Sequence, residues 1–236
     1  MRAKTVAGVD GCRAGWLCVA QKLWNGKCGA IILARIEDLL RFDPVPAVIA
    51  IDMPIGLTEV GPRACELEAR KLLGRPRSSS VFPAPVRPLL RASSWERACR
   101  LGSRIDGRRI NRQTWNIMPK IREVDAFLRA HPEYRERIHE THPEVCFWRW
   151  SGGKGMMHAK KAAEGRAERK ALVVSVFGFE LEATSTALRR GGWAMDDLLD
   201  AFATLWTAKR VLASAHVTLP PRPPVDRLGL RMEIVS

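Results

Sequence analysis

The chain has 236 residues, 46% of them apolar, which suits a globular core in one large domain and excludes a disordered or fibrous chain. Its 39 Lys and Arg against 25 Asp and Glu leave a formal charge of +14, a balance that favours phosphate-rich partners. The six cysteines form no C-x-x-C pair and have no His at zinc-finger spacing, so zinc modules are excluded and reduced, mostly buried thiols are expected.

The first 50 residues read as strands: Thr5–Asp10, Gly15–Lys22 after a glycine-containing turn, and Ala30–Arg35 after Asn25-Gly26, joined as two hairpins. A short amphipathic segment, Ile36–Phe42, leads into the apolar run Val45–Asp52, whose lack of alternation suits a strand covered on both faces. Residues 61–112 then carry thirteen Lys or Arg against four Asp or Glu, a concentrated positive field. Helices are predicted here from Arg63 to Leu73, after a capping box at Ser93 and Glu96, and from Pro119 with Ile121, Val124 and Leu128 on one side.

Further on, Arg137–His142 reads as a strand broken by Pro143, and Ala159–Val176 as a helix with Lys160, Lys161, Arg166, Arg169 and Lys170 on its exposed surface. Gly191-Gly192 precedes the helix Met195–Ala213, and the proline-rich tail ends in a short edge strand over Leu228–Val235. The longest apolar stretch, Ala171–Phe179, is too short to span a bilayer and the N-terminus lacks a secretory h-region, so no membrane partner and a cytoplasmic location are expected.

Five acids fall at strand ends or at the start of the last long helix. Asp10 ends a strand and enters a Gly-flanked hairpin, where it serves either a ligand or the turn's own N–H groups. Asp52 ends an apolar strand stopped by Pro54, and burying a lone carboxylate is costly unless it is paired or metal-bound. In Ile138-His139-Glu140-Thr141-His142 a strand puts Glu140 and His142 on one face, with Glu144 beyond Pro143 as the competing acid. On the last helix Asp197 edges the buried arc of Ala201, Leu205, Ala208 and Leu212, and Asp200 lies about 60° further round. Carboxylates that converge repel one another unless a divalent cation or protonation relieves them.

The segments G-V-D-G-x-x-x-G-W, I-D-M-P-I-G-L, R-S-S-S-V-F-P-A-P, Gln113 to Asp125, H-E-T-H-P-E and D-D-L-L-D-A, in that order over nearly the whole chain, resemble an uncharacterised family described as predicted RNase H-like nucleases. At superfamily level the strand-one Asp, the acid ending strand four and the paired Asp of the last helix resemble RuvC-type resolvases. The resemblance implies an α/β fold, one RNase H-like domain over residues 1–236 with a mixed five-stranded sheet flanked by helices; the helical Arg-rich insertion at 54–136, read from the residues, departs from the resolvase pattern, and an extended tail at 214–236 ends the domain. It also implies Mg²⁺ or Mn²⁺ held by Asp10, Asp52, Glu140 and Asp197, with Asp200 a fifth ligand.

The expected activity is phosphodiester hydrolysis of DNA or RNA, with Asp10 bridging two ions about 3.5–4 Å apart. Lys160, Lys161, Arg70, Arg77, Arg108 and Arg112 are expected to hold the phosphate backbone without reading sequence. His142 tunes a ligand, shuttles a proton or is structural, and the Ser78–Ser80 loop donates to a phosphate or closes a turn. Two rivals stand beside this: a noncatalytic nucleic-acid-binding module, and an actin-like phosphotransferase, which usually needs a second half-domain. The oligomeric state is open, a homodimer included.

Overall fold

The computed structural model describes residues 4–189 and 191–236. Its centre is a mixed five-stranded sheet of β1 (Thr5–Cys12), β2 (Gly15–Lys22), β3 (Cys28–Leu33), β4 (Val48–Ile51) and β5 (Ile138–Glu140), in the order β3-β2-β1-β4-β5. The two hairpins form as expected: β1 pairs antiparallel with β2 and β2 with β3, and Gly26 donates to the Lys22 carbonyl at 2.9 Å to close the second turn. β1–β4 and β4–β5 are parallel, which puts the C-terminal ends of β1, β4 and β5 on the same edge.

Helices α1 (Ala64–Leu73), α2 (Trp95–Asp106) and α3 (Arg112–Ala130) connect β4 to β5, and α4 (Pro143–Trp150), α5 (Ala163–Phe177), α6 (Glu180–Ala187) and α7 (Met195–Leu212) follow β5. Several boundaries differ from expectation. Ser94, not Ser93, caps α2, its hydroxyl accepting from the Arg97 N–H at 3.2 Å. Pro119 lies inside α3, which starts seven residues earlier behind Asn111, whose side chain accepts from the Thr114 N–H at 2.7 Å. The proline's missing N–H is tolerated because it faces solvent while Met118, Ile121, Val124 and Leu128 are buried. Pro143 not only ends β5 but opens α4, as its fixed φ allows at a first helical turn.

α5 begins at Ala163, so Lys160 and Lys161 lie on the preceding loop, and Arg169, expected on the exposed surface, is only 1% exposed. The C-terminal segment is woven into the structure: β6 (Thr218–Leu219) pairs with β7 (Ile234–Val235), and Val235 bridges Thr141 beyond β5. Buried Asp226 accepts from the backbone N–H of Leu57, Leu228 and Leu230 and pairs with Arg87, which also grips Asp125 of α3 at 2.8 Å. No helix among the described residues is long and apolar enough to cross a membrane.

The side-chain period of two sorts the sheet into two cores. Val6, Val48 and Ala50 face α7, packing with Leu198, Ala201, Phe202 and Leu205; Ala7, Val9, Ile49, Ile51 and Ile138 face the other way, onto Ile121, Val124 and Leu128 of α3. On the α7 side Gly8 lets two backbones touch. A Cβ there would sit 2.1 Å from the Leu205 nitrogen and 2.3 Å from the Ala201 oxygen. Gly8→Ala therefore pushes α7 off β1 and destabilises the fold by about 3 kcal/mol, whereas Gly29→Ala, with nothing within 4 Å of the added carbon, stays within about 0.5 kcal/mol of wild type. Equilibrium urea denaturation of the two variants checks the contrast.

Candidate functional site

The β1–β4 register builds the centre of the site. Val9 pairs with Ile51, and the Asp52 N–H donates to the Val9 carbonyl at 3.0 Å, so the next side chains on the α7 face, Asp10 and Asp52, stand side by side. α7 runs across that face and adds Asp200, which is 2% exposed. One carboxylate oxygen from each of Asp10, Asp52 and Asp200 lies within 4.8 Å of the other two. They sit in a cleft of about 580 Å³ whose walls include His142, Glu144, Lys120, Lys160, Asp197 and Arg77.

Burial raises the Asp10 carboxyl well above its ordinary range, and Asp200 and Asp52 push it further while Lys160 opposes. Burial likewise raises Asp52, against the pull of His142 and Lys160. Asp200 is pushed up to about 7 by burial, with Lys160 opposing and Asp52 and Glu144 adding to the rise. Three acids thus share a site that disfavours three negative charges at neutral pH without a cation. Lys160 supplies one such cation through an ion pair to Asp200 Oδ2, while Asp200 Oδ1 is buried with no hydrogen-bond partner among the described residues.

The other sequence-selected acids have different engagements. Asp197 Oδ2 accepts from the Ala194 N–H at 2.8 Å and closes the first turn of α7 at the cleft rim, so Asp200, one turn deeper, is the acid that joins the strands. Glu140, expected among the ligands, pairs in register with Ile51 on the opposite face of the sheet from Asp10 and Asp52; it lines the same cleft but is not one of the three carboxylates that converge. There Arg63 grips both its oxygens at 2.6 Å, and the Ile55 N–H adds a third bond at 2.6 Å. Glu144 is buried; Arg169 occupies its Oε1, and its Oε2 has no partner among the described residues. His142 Nε2 lies 3.3 Å from the Ser80 carbonyl and its Nδ1 is unpartnered.

Among the basic residues, Arg77, Lys160 and Lys161 line the cleft. Arg70 is exposed, with Nη1 donating to the Val81 carbonyl at 3.3 Å, Arg108 borders a separate cavity of about 170 Å³, and Arg112 stacks 4.1 Å over Trp95. The Ser79 and Ser80 hydroxyls donate to the carbonyls of Pro76 and Arg77, closing a turn. Besides Arg63, a further cleft cation goes unread in the sequence: Lys120 of α3, bonded to the Gly15 carbonyl and 4.4 Å from the Trp16 ring centre. Its signal was there, because Gln113, Asn116, Ile117 and Lys120 recur at helical spacing and all four line the cleft.

A raised folded-state pKa makes stability depend on pH. Between the ordinary 3.8 of an Asp and about 7, the folded protein binds more protons than the unfolded chain, so stability is full below that window and declines as pH rises through it. In chelator-treated protein Asp200→Asn flattens this decline. Urea denaturation across a pH series checks it, and an unchanged slope in the variant refutes the assignment.

A family model described as "Protein of unknown function (DUF429)" matches residues 8–225, a span that contains Asp10, Asp52 and Asp200. No curated protein and no solved structure matches the chain. By the extent of that match, the chain belongs to the DUF429 family of proteins of unknown function.

Proposed function

We propose that this protein is a metal-dependent nuclease with an RNase H-like fold, hydrolysing phosphodiester bonds of DNA or RNA at Asp10, Asp52 and Asp200. The observation that carries the reading is the convergence of three carboxylates from adjacent parallel strand ends and the last long helix in one cleft with basic walls. The strand order β3-β2-β1-β4-β5, with α7 laid against β1, supports the fold assignment. Fold alone does not carry the activity.

The donor set fits a hard divalent cation: carboxylate oxygens only, close together, with a buried Asp200 oxygen that no group among the described residues satisfies. Asp10, Asp52 and Asp200 are the residues that would hold Mg²⁺ or Mn²⁺, and such an ion supplies Lewis acidity and a bound water of lowered pKa. The protein's own contribution is placement. Asp10 and Asp52 are fixed by the β1–β4 ladder and Asp200 by the packing of α7, so little reorganises when a phosphate arrives. Lys120, Lys161 and Arg77 on the walls offset phosphate charge and hold the backbone without reading bases.

The test is cleavage of labelled single-stranded, duplex, hybrid and branched substrates with Mg²⁺ or Mn²⁺. Asp10→Asn, Asp52→Asn and Asp200→Asn each lower the rate by about 10²–10³-fold or more, and cleavage that survives all three substitutions refutes the site. Salt-sensitive binding without cleavage by the wild type gives the noncatalytic module, and ATP turnover without cleavage gives the phosphotransferase. Glu140→Gln is distinguished by its readout: it removes one of the two carboxylates on the buried Arg63 guanidinium, leaving only Glu66, and costs about 3 kcal/mol of stability. A stable but inactive Glu140→Gln protein would return Glu140 to the ligand set.

A further inference from the structure

Lys160 reaches the carboxylates from the loop between α4 and α5, and the path of that loop is built rather than incidental. Gly165, in the first turn of α5, packs on it so closely that a Cβ would lie 2.0 Å from the Ala159 oxygen, next to Lys160 in the chain. Glu168 of α5 accepts from the Met157 and His158 N–H groups at 3.3 and 3.1 Å, and Arg77 donates to the Met157 carbonyl at 3.3 Å. Arg169 ties loop to site, with Nη1 on the carbonyls of Gly165 at 2.8 Å and His158 at 3.5 Å and its other nitrogens on Glu144 Oε1. The Lys160 ammonium is thereby delivered to Asp200 Oδ2 although 40% of its side chain is exposed.

The formal charges of this region do not match two divalent ions. Asp10, Asp52, Asp200 and Glu144 carry four negative charges; Lys160 on Asp200 and Arg169 on Glu144 already return two. Among the other charged groups that line the cleft, Glu66, Glu140, Asp196 and Asp197 are matched by Arg63, Arg77, Lys120 and Lys161. The two charges left over equal one divalent cation, and a second would leave the buried site with excess positive charge, a state that desolvation penalises. The oxygens agree with the count. Lys160 and Arg169 each take one oxygen of their carboxylate, and the remaining ones, Asp200 Oδ1 and Glu144 Oε2, are buried and unpartnered among the described residues.

We propose that the site takes a single divalent cation and that the Lys160 ammonium stands in the place of a second. The inference rests on the metal-dependent reading above and replaces its two-ion form. Asp200 then serves both cations, one oxygen each, and Glu144, held by Arg169, stays on the cleft wall outside the three converging carboxylates.

The experiment is Mn²⁺ titration of the chelator-stripped full chain, read by calorimetry for stoichiometry and by electron paramagnetic resonance for coupling between ions. The wild type binds one Mn²⁺ with the six-line spectrum of an isolated ion, Lys160→Met and Lys160→Gln bind two with a spin-coupled spectrum, and Lys160→Arg remains at one. Two coupled ions in the wild type overturn the proposal and leave the nuclease reading standing. One ion in folded Lys160→Met and Lys160→Gln, verified by circular dichroism, also overturns it. No ion in the wild type removes this inference together with the metal-dependent reading.

Discussion

Everything in this molecule that bears on chemistry depends on the backbone contact between β1 and α7. The absence of a side chain at Gly8 lets the strand lie against the turn of helix that contains Ala201 and Leu205. The two acids flanking this contact, Asp10 two residues along the strand and Asp200 one residue before Ala201, are brought together by the same approach. β4 joins through its parallel register with β1 and adds Asp52. A packing requirement in the apolar core and the spacing of the carboxylates are therefore one constraint.

Placing acids that closely in a buried cleft creates an electrostatic problem, and the fold answers it with cations drawn from elsewhere in the chain. Lys160 meets Asp200, Arg169 meets Glu144, and on the far side of the sheet Arg63 meets Glu140 and Glu66. Each of these bases comes from a different segment, so the ion pairs also tie together α1, β5, α4, α5 and α7. The net charge of +14 is thus not only a surface property; part of the basic complement sits inside, holding acids in place.

The mixed sheet flanked by helices was readable from the alternation and turn signals of the first 50 residues and from the helical period of Met195–Leu212. Asp10 and Asp52 were marked by their position at the ends of apolar strands, a local property. Glu140 looked equivalent and lines the same cleft, but its carboxylate is engaged by Arg63 rather than by the cluster because its direction depends on the β4–β5 register; the pairing of Ile51 with Glu140 spans 89 positions and leaves no mark in either segment alone. The order of Asp197 and Asp200 inverts for a related reason. Helical geometry put Asp197 nearer the apolar arc, but its carboxylate turns back to the Ala194 N–H, and the docking of α7 carries Asp200 inward. Pro119 misled as a helix start because burial of the α3 face outweighs one absent hydrogen bond.

The spread of the three carboxylates along the chain has a consequence for how the protein comes into being. Asp10 and Asp52 emerge early in synthesis, whereas Asp200 lies on the last long helix and cannot be added to β1 until most of the chain has been made. At ordinary elongation rates the interval is on the order of ten seconds. During that time the two strand-end acids exist without their third partner and without Lys160, so a nascent chain holds no assembled cluster. On the proposed metal-dependent reading, capture of the ion is a late event, timed by the docking of α7 rather than by the appearance of the first acids.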